Sequence, residues 1–163
     1  MDIYLHKQIE TAMITVTQKN VASIMHFSTF SKYFIPFGNL ICPIFLWVFY
    51  KNNSEFEDEN GKQAINYQLS QMLYGFVVLI VLATLSLIYL TNLFALNFTF
   101  DDMGFYLSPN QFYLTDKPIW AIFTAVILGL GYLVFDFYVV IRAGLKALNG
   151  EVYHYPITIP FIK

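Results

Sequence analysis

Asp, Glu, Lys and Arg are missing from three long runs of this chain, residues 63–100, 118–135 and 33–50. A bilayer's hydrocarbon core takes about 20 apolar residues of helix to cross, so uncharged runs of this length predict membrane spans. The first run enters through Asn66, Gln68, Ser70 and Gln71, then turns continuously apolar at Met72. It predicts one long helix ending near Leu93. A second long helix is expected over 118–148. Asp116 and Pro118 suit its start, because an aspartate can cap and a proline fits the first turn. Asn149 and Gly150 suit its end.

The run at 33–50 is different. It contains Ile35-Pro36-Phe37-Gly38-Asn39, where proline withholds a donor and glycine frees the backbone, so a helix must break there. Each flanking piece, 20–34 and 40–50, reaches roughly 20 Å as helix, short of a core about 30 Å thick. A tilted hairpin of two short spans and one spanning helix with a broken middle are both open, and topology favours the hairpin. Upstream, Ile3, His6, Ile9, Met13 and Val16 recur at spacings of three and four, which predicts an amphipathic helix lying on the membrane. Residues 51–63 read as a polar loop, and 97–117 as a second polar connection packed on the membrane face. In the tail, Tyr153, Tyr155, Ile157, Ile159 and Phe161 alternate while Pro156 and Pro160 forbid helix, so 151–163 should be extended and packed back on the helix ends.

The expected fold is therefore an all-α integral membrane protein: a short broken helical hairpin plus two long transmembrane helices, preceded by an amphipathic N-terminal helix. Residues 1–19 form that first helix, and 20–163 a single membrane domain ending in the extended tail.

Composition agrees. Charged residues make up 12% and mean hydropathy is +0.54, whereas a soluble domain carries about 25% charged residues. Net charge is −2 with no basic block, which leaves nucleic acid without an electrostatic foothold. A lone cysteine, Cys42, forms no intrachain disulfide or zinc site and reads as a small buried apolar group. His6, His26 and His154 match no metal-ligand spacing, so no metal or cofactor is expected. Asp2, Lys7, Glu10 and Lys19 leave no room for a cleavable signal's apolar region.

Orientation follows from the basic residues. Arg142, Lys146 and Lys163 flank the end of the last helix, and Lys51 and Lys62 bracket the first loop. With Lys7 and Lys19, they place both termini and the first loop in the cytoplasm, and 97–116 outside.

Among candidate sites, Asp136 is the one acid inside a predicted span, where an ionisable group is costly and needs a reason. Its ordinary reading is an interfacial carboxylate near Arg142, and its functional reading a place on an ion or substrate path. Asn66, Gln68 and Gln71 suit hydrogen bonding between helices. The acids at 55–59 lack the ligand pattern of a calcium loop and read as a solvated loop. No nucleophile elbow, phosphate loop, HExxH or CxxC occurs, so a non-enzymatic role is expected.

The stretches IPFGNLICPIFLWVFYK (35–51) and FEDENGKQAINYQLS (56–70), with NGEVYHYPITIPFIK at the C-terminus, resemble a small bacterial membrane family of unknown function. That family is grouped with the twenty-kilodalton chloroplast inner-envelope translocon (Tic) subunit. The resemblance rests on His26, Pro36, Gly38, Asn39, Pro43, Trp47, Gly61, Lys62, Asn66, Gln68, Gly150, Tyr155 and Pro156. Asn60 stands where the family has His, and Pro160 where it has Arg. The resemblance implies a Tic-like helical domain and a part in protein transport. The leading expectation is an accessory subunit of a larger bacterial inner-membrane assembly, concerned with protein translocation or envelope assembly. Its partners would be the lipid bilayer and other membrane subunits, with room for a homo-oligomer. The alternative is a small oligomeric transporter or channel, with Asp136 and the break at Pro36 and Gly38 lining its path.

Overall fold

The computed structural model describes residues 14–93, 97–101, 104–108 and 117–163. Its elements are α1 (Val16–Phe27), a 3-10 helix (Ser28–Tyr33), α2 (Gly38–Tyr50), α3 (Glu55–Leu93), β1 (Asn97–Asp101), β2 (Gly104–Ser108) and α4 (Lys117–Leu148). They divide into two compact units: Met1–Leu73 with Gly131–Lys163, and Tyr74–Leu130.

Most of the expected N-terminal helix lies outside the described residues. Where the description begins, Thr15 is extended, and its side chain and that of Gln18 cap each other's backbone in a capping box. A new helix therefore starts at Val16. A serine cap opens α3. Ser54 Oγ accepts from Glu57 N at 3.2 Å and donates to Glu57 Oε2 at 2.9 Å. The acids expected in a solvated loop are thus the first turn of α3, where the helix dipole favours Glu55, Glu57 and Asp58. The polar loop shrinks to residues 51–54.

The break falls where expected, but the strained residue is Phe37, with φ +59°. Gly38 serves close approach instead: a Cβ there would sit 2.7 Å from the Ser31 carbonyl oxygen. Asn39 lies inside α2 and caps nothing. Pro43, buried on α2, withholds the N–H that would bond the Asn39 carbonyl. At the other end of the first unit, Gly150 takes φ +83°. Its N–H bonds Ala147 O, and Glu151 N–H bonds Lys146 O, each at 3.0 Å. That pair of bonds is a Schellman closure, and it ends α4 at Leu148.

Two clusters form the core of this unit. Tyr67, Val139, Val140, Ala143 and Tyr155 pack together, with Phe27, Phe30 and Tyr153 against them. Ala22, Phe56 and Ala147 form the second, under Ile14 and Val152.

In the second unit, β1 and β2 pair antiparallel, from Asn97 opposite Ser108 to Asp101 opposite Gly104. The polar connection expected at 97–117 therefore contains a hairpin, and the fold is helical with this one ladder among the described residues. Alternating aromatic and β-branched residues (Phe98, Thr99, Phe100) favour a pleated strand. Glu55–Ile88 and Ile122–Leu148 are long and apolar enough to cross a membrane, and in the first no residue of the most apolar stretch is buried. Side chains such as Phe76, Leu79, Leu82 and Leu87 are exposed, a surface that suits lipid rather than water.

Candidate functional site

The first unit encloses a set of polar side chains drawn from all its helices and the tail. His26 on α1 is fully buried. Its Nε2 lies 3.0 Å from Asn60 Oδ1, and its Nδ1 lies 2.8 Å from the Tyr155 hydroxyl. Asn60 Nδ2 donates to Phe56 O at 2.8 Å, so Asn60 presents its carbonyl to the ring. The imidazole therefore carries its proton on Nε2 and accepts from Tyr155 at Nδ1. Burial holds the Tyr155 hydroxyl well above the ordinary tyrosine range, so it stays neutral at pH 7.

Tyr155 stacks on Tyr67, ring centroids 4.2 Å apart. The Tyr67 hydroxyl donates to Asp136 Oδ1 at 3.1 Å, and Lys32 Nζ forms an ion pair with Asp136 Oδ2. Asp136 is thus paired with Lys32 of the 3-10 helix. Arg142, expected beside it, is exposed and donates to the Tyr138 hydroxyl on its own helix.

Asn66 acts as a clamp on the tail. Its Oδ1 accepts from Phe161 N at 3.1 Å and Ile162 N at 2.8 Å, and its Nδ2 donates to Ile162 O at 2.9 Å. One turn on, Ser70 Oγ accepts from Ile159 N at 2.8 Å. A side-chain amide here does what a neighbouring strand would do for an extended segment.

The other candidates join α2 to α3. Asn39 Nδ2 donates to Gln68 Oε1 at 2.9 Å, and Gln68 Nε2 is buried without a partner. Trp47 lies across Gly61, where any Cβ would collide with the indole. Its Nε1 donates to Asp58 Oδ1 at 2.8 Å, and Asp58 pairs with Lys62 at 2.6 Å. Pro36 and Pro156 are exposed at turns. Sequence reasoning does not single out Lys32, Tyr67, Ser70 or Asp58, since the partners Asp136, Ile159 N and Trp47 reach them only through tertiary packing.

Among the described residues, no group of three or more His, Cys, Asp and Glu side chains could hold a metal ion. Both nitrogens of His26 are engaged by protein. The arrangement fastens helices and tail together.

A model of the magnetosome magnetite crystal formation family, MamF/MmsF, matches residues 17–162. The chain belongs to the MamF/MmsF family. No curated protein and no solved structure matches it. MamF/MmsF membership corrects the resemblance to a Tic-like translocon family, for which there is no support, and with it the expected part in protein transport. The accessory translocation or envelope-assembly subunit and the alternative transporter or channel are both replaced by a family described by mineral formation. A physical reason lies in the residues that carried the resemblance. Gly38, Trp47, Gly61, Asn66 and Tyr155 make packing and tail contacts, so they report a fold and not a task. As a MamF/MmsF protein with two helices of spanning length, the chain is a membrane protein.

Proposed function

We propose that the protein takes part in magnetite crystal formation as a membrane-embedded structural component of the mineral-forming compartment. The carrying observation is the extent of the family match, which runs through the hairpin, both long helices and the tail. What supports a structural rather than a catalytic role is the state of the buried polar groups. His26, Tyr155, Asp136, Lys32 and Asn66 are all engaged with one another or with backbone. Such a satisfied set gives a membrane protein one defined conformation.

The basic residues Lys51, Lys62, Arg142, Lys146 and Lys163 would face the cytoplasm, with both termini on that side. The parent membrane would be the bacterial inner membrane, and the remaining spanning surface would meet lipid or a second copy. The test is fractionation. Expressed with an epitope tag in a magnetite-forming bacterium, the protein should co-purify with membrane-enclosed crystals drawn out by a magnet. Even distribution over the bulk inner membrane would overturn the proposal.

A further inference from the structure

We infer that residues 16–50 form a re-entrant hairpin that enters one leaflet of the bilayer and returns, its outer face covered by the acyl chains of that leaflet. The inference rests on the hairpin's geometry and not on the mineral-forming reading.

Length comes first. The returning leg, α2, has 13 residues and is roughly 20 Å long, whereas α1 with its 12 residues runs on into the six of the 3-10 helix, roughly 30 Å together. The tertiary partners set how far along the long helices these legs reach. On α3, Trp47 meets Asp58 near one end of α2 and Asn39 meets Gln68 near the other. From 58 to 68 is about 15 Å of helix. On α4 the Lys19 side chain lies against Gly150, while Lys32 pairs with Asp136. From 150 back to 136 is about 21 Å. Half of a bilayer, headgroup region included, is about 20–22 Å. The returning leg is too short to cross, and the reach of both legs along α3 and α4 matches one leaflet.

Much of the tip's polar backbone also finds partners inside the protein, as a medium without water favours. Phe34 and Ile35 N–H both bond Ser31 O, Gly38 N–H bonds Ile35 O, and Pro36 has no N–H. Three of the four hydroxyls of the 3-10 segment turn back on the main chain: Ser28 to Met25 O, Thr29 to His26 O and Ser31 to Ser28 O. Lys32, the one charge nearby, is neutralised by Asp136. What remains outside is apolar, with Phe34 87% and Phe37 64% exposed. That surface continues along α2 through Ile41, Phe45 and Phe49. It stops at Trp47 and Lys51, whose ammonium lies 4.8 Å from the indole centroid, a pairing suited to the headgroup level. Phe30 and Tyr33 stack on Phe137 at 4.8 and 5.5 Å, which fastens the tip to α4.

The test is a depth measurement on the full chain. In a Cys42→Ser background, Phe34→Cys and Asn52→Cys are labelled separately with a fluorophore. Each is reconstituted in phosphatidylcholine vesicles carrying nitroxide lipids labelled at the headgroup or deep in the acyl chain. The label at 34 should lose more fluorescence to the deep-chain nitroxide and none to iodide on either side. At 52 the order should reverse, with iodide effective from one side. Stronger headgroup quenching at 34 would overturn the inference in favour of a hairpin lying on the surface. Iodide reaching 34 from the side opposite to 52 would show a crossing hairpin. Protection of 34 from both lipid and iodide would show that protein covers the tip. Each of these three outcomes overturns it.

Discussion

Replacing Lys32 with methionine removes one half of the buried pair and leaves the Asp136 carboxylate with Tyr67 as its remaining donor. The Asp136 side chain is 0% exposed and that of Lys32 22%, so neither water nor headgroups can take over at the carboxylate. Breaking a buried pair from one side costs about 3–5 kcal/mol, because the surviving charge is left uncompensated. For a domain of this size, 1 kcal/mol moves the midpoint by roughly 2–4 °C. A fall of roughly 6–20 °C is therefore expected for Lys32→Met in detergent, followed by tryptophan fluorescence or light scattering. The double variant Lys32→Met, Asp136→Leu should recover at least about half of the loss, since an apolar replacement of both partners is often neutral. Full recovery should need Tyr67→Phe as well, because the phenol would otherwise be stranded at a cost of about 1–3 kcal/mol. A single variant as stable as wild type, or a double variant as weak as the single, would refute the pairing as the fastener between the 3-10 helix and α4.

Other outcomes follow from the same contacts. Gly38→Ala should destabilise, because its Cβ meets the Ser31 carbonyl at 2.7 Å. Phe37→Gly should not, since it relieves a left-handed residue worth about 1–2 kcal/mol of strain; thermal melts of the two variants decide it. Asn66→Ala should speed amide exchange at Phe161 and Ile162, which both bond its Oδ1, while the helical amides of α4 stay protected.

The long apolar runs, the break near Pro36 and the glycine closure at Gly150 were legible because each is a local signal: hydropathy, a missing donor, a left-handed residue. The start of α3 at Glu55 was legible too, through Ser54 and Glu57 at capping-box spacing, but the acidic charge drew the reading toward a loop. Long-range pairing was not legible. Arg142 is the nearest cation to Asp136 in sequence, yet the partner is Lys32, 104 positions away. Helical phase turns Arg142 outward, and only the packing of the hairpin brings Lys32 in. Likewise, Asn66 and Tyr155 could be singled out as polar or aromatic residues in telling places. Their roles as tail clamp and histidine partner depend on the tail folding back over the helices. Function was the least legible, because the residues that stand out in the sequence are those that pack the fold.

The most direct test is made in a magnetite-forming bacterium from which its own MamF/MmsF member has been deleted. Crystal dimensions are measured by electron microscopy with and without this chain, and with its Lys32→Met variant. Restored crystal size with the wild-type chain, and loss of that restoration with the destabilised variant, is the expected result. Crystals unchanged by the wild-type chain, although it is present and folded in the compartment membrane, would contradict a part in magnetite crystal formation.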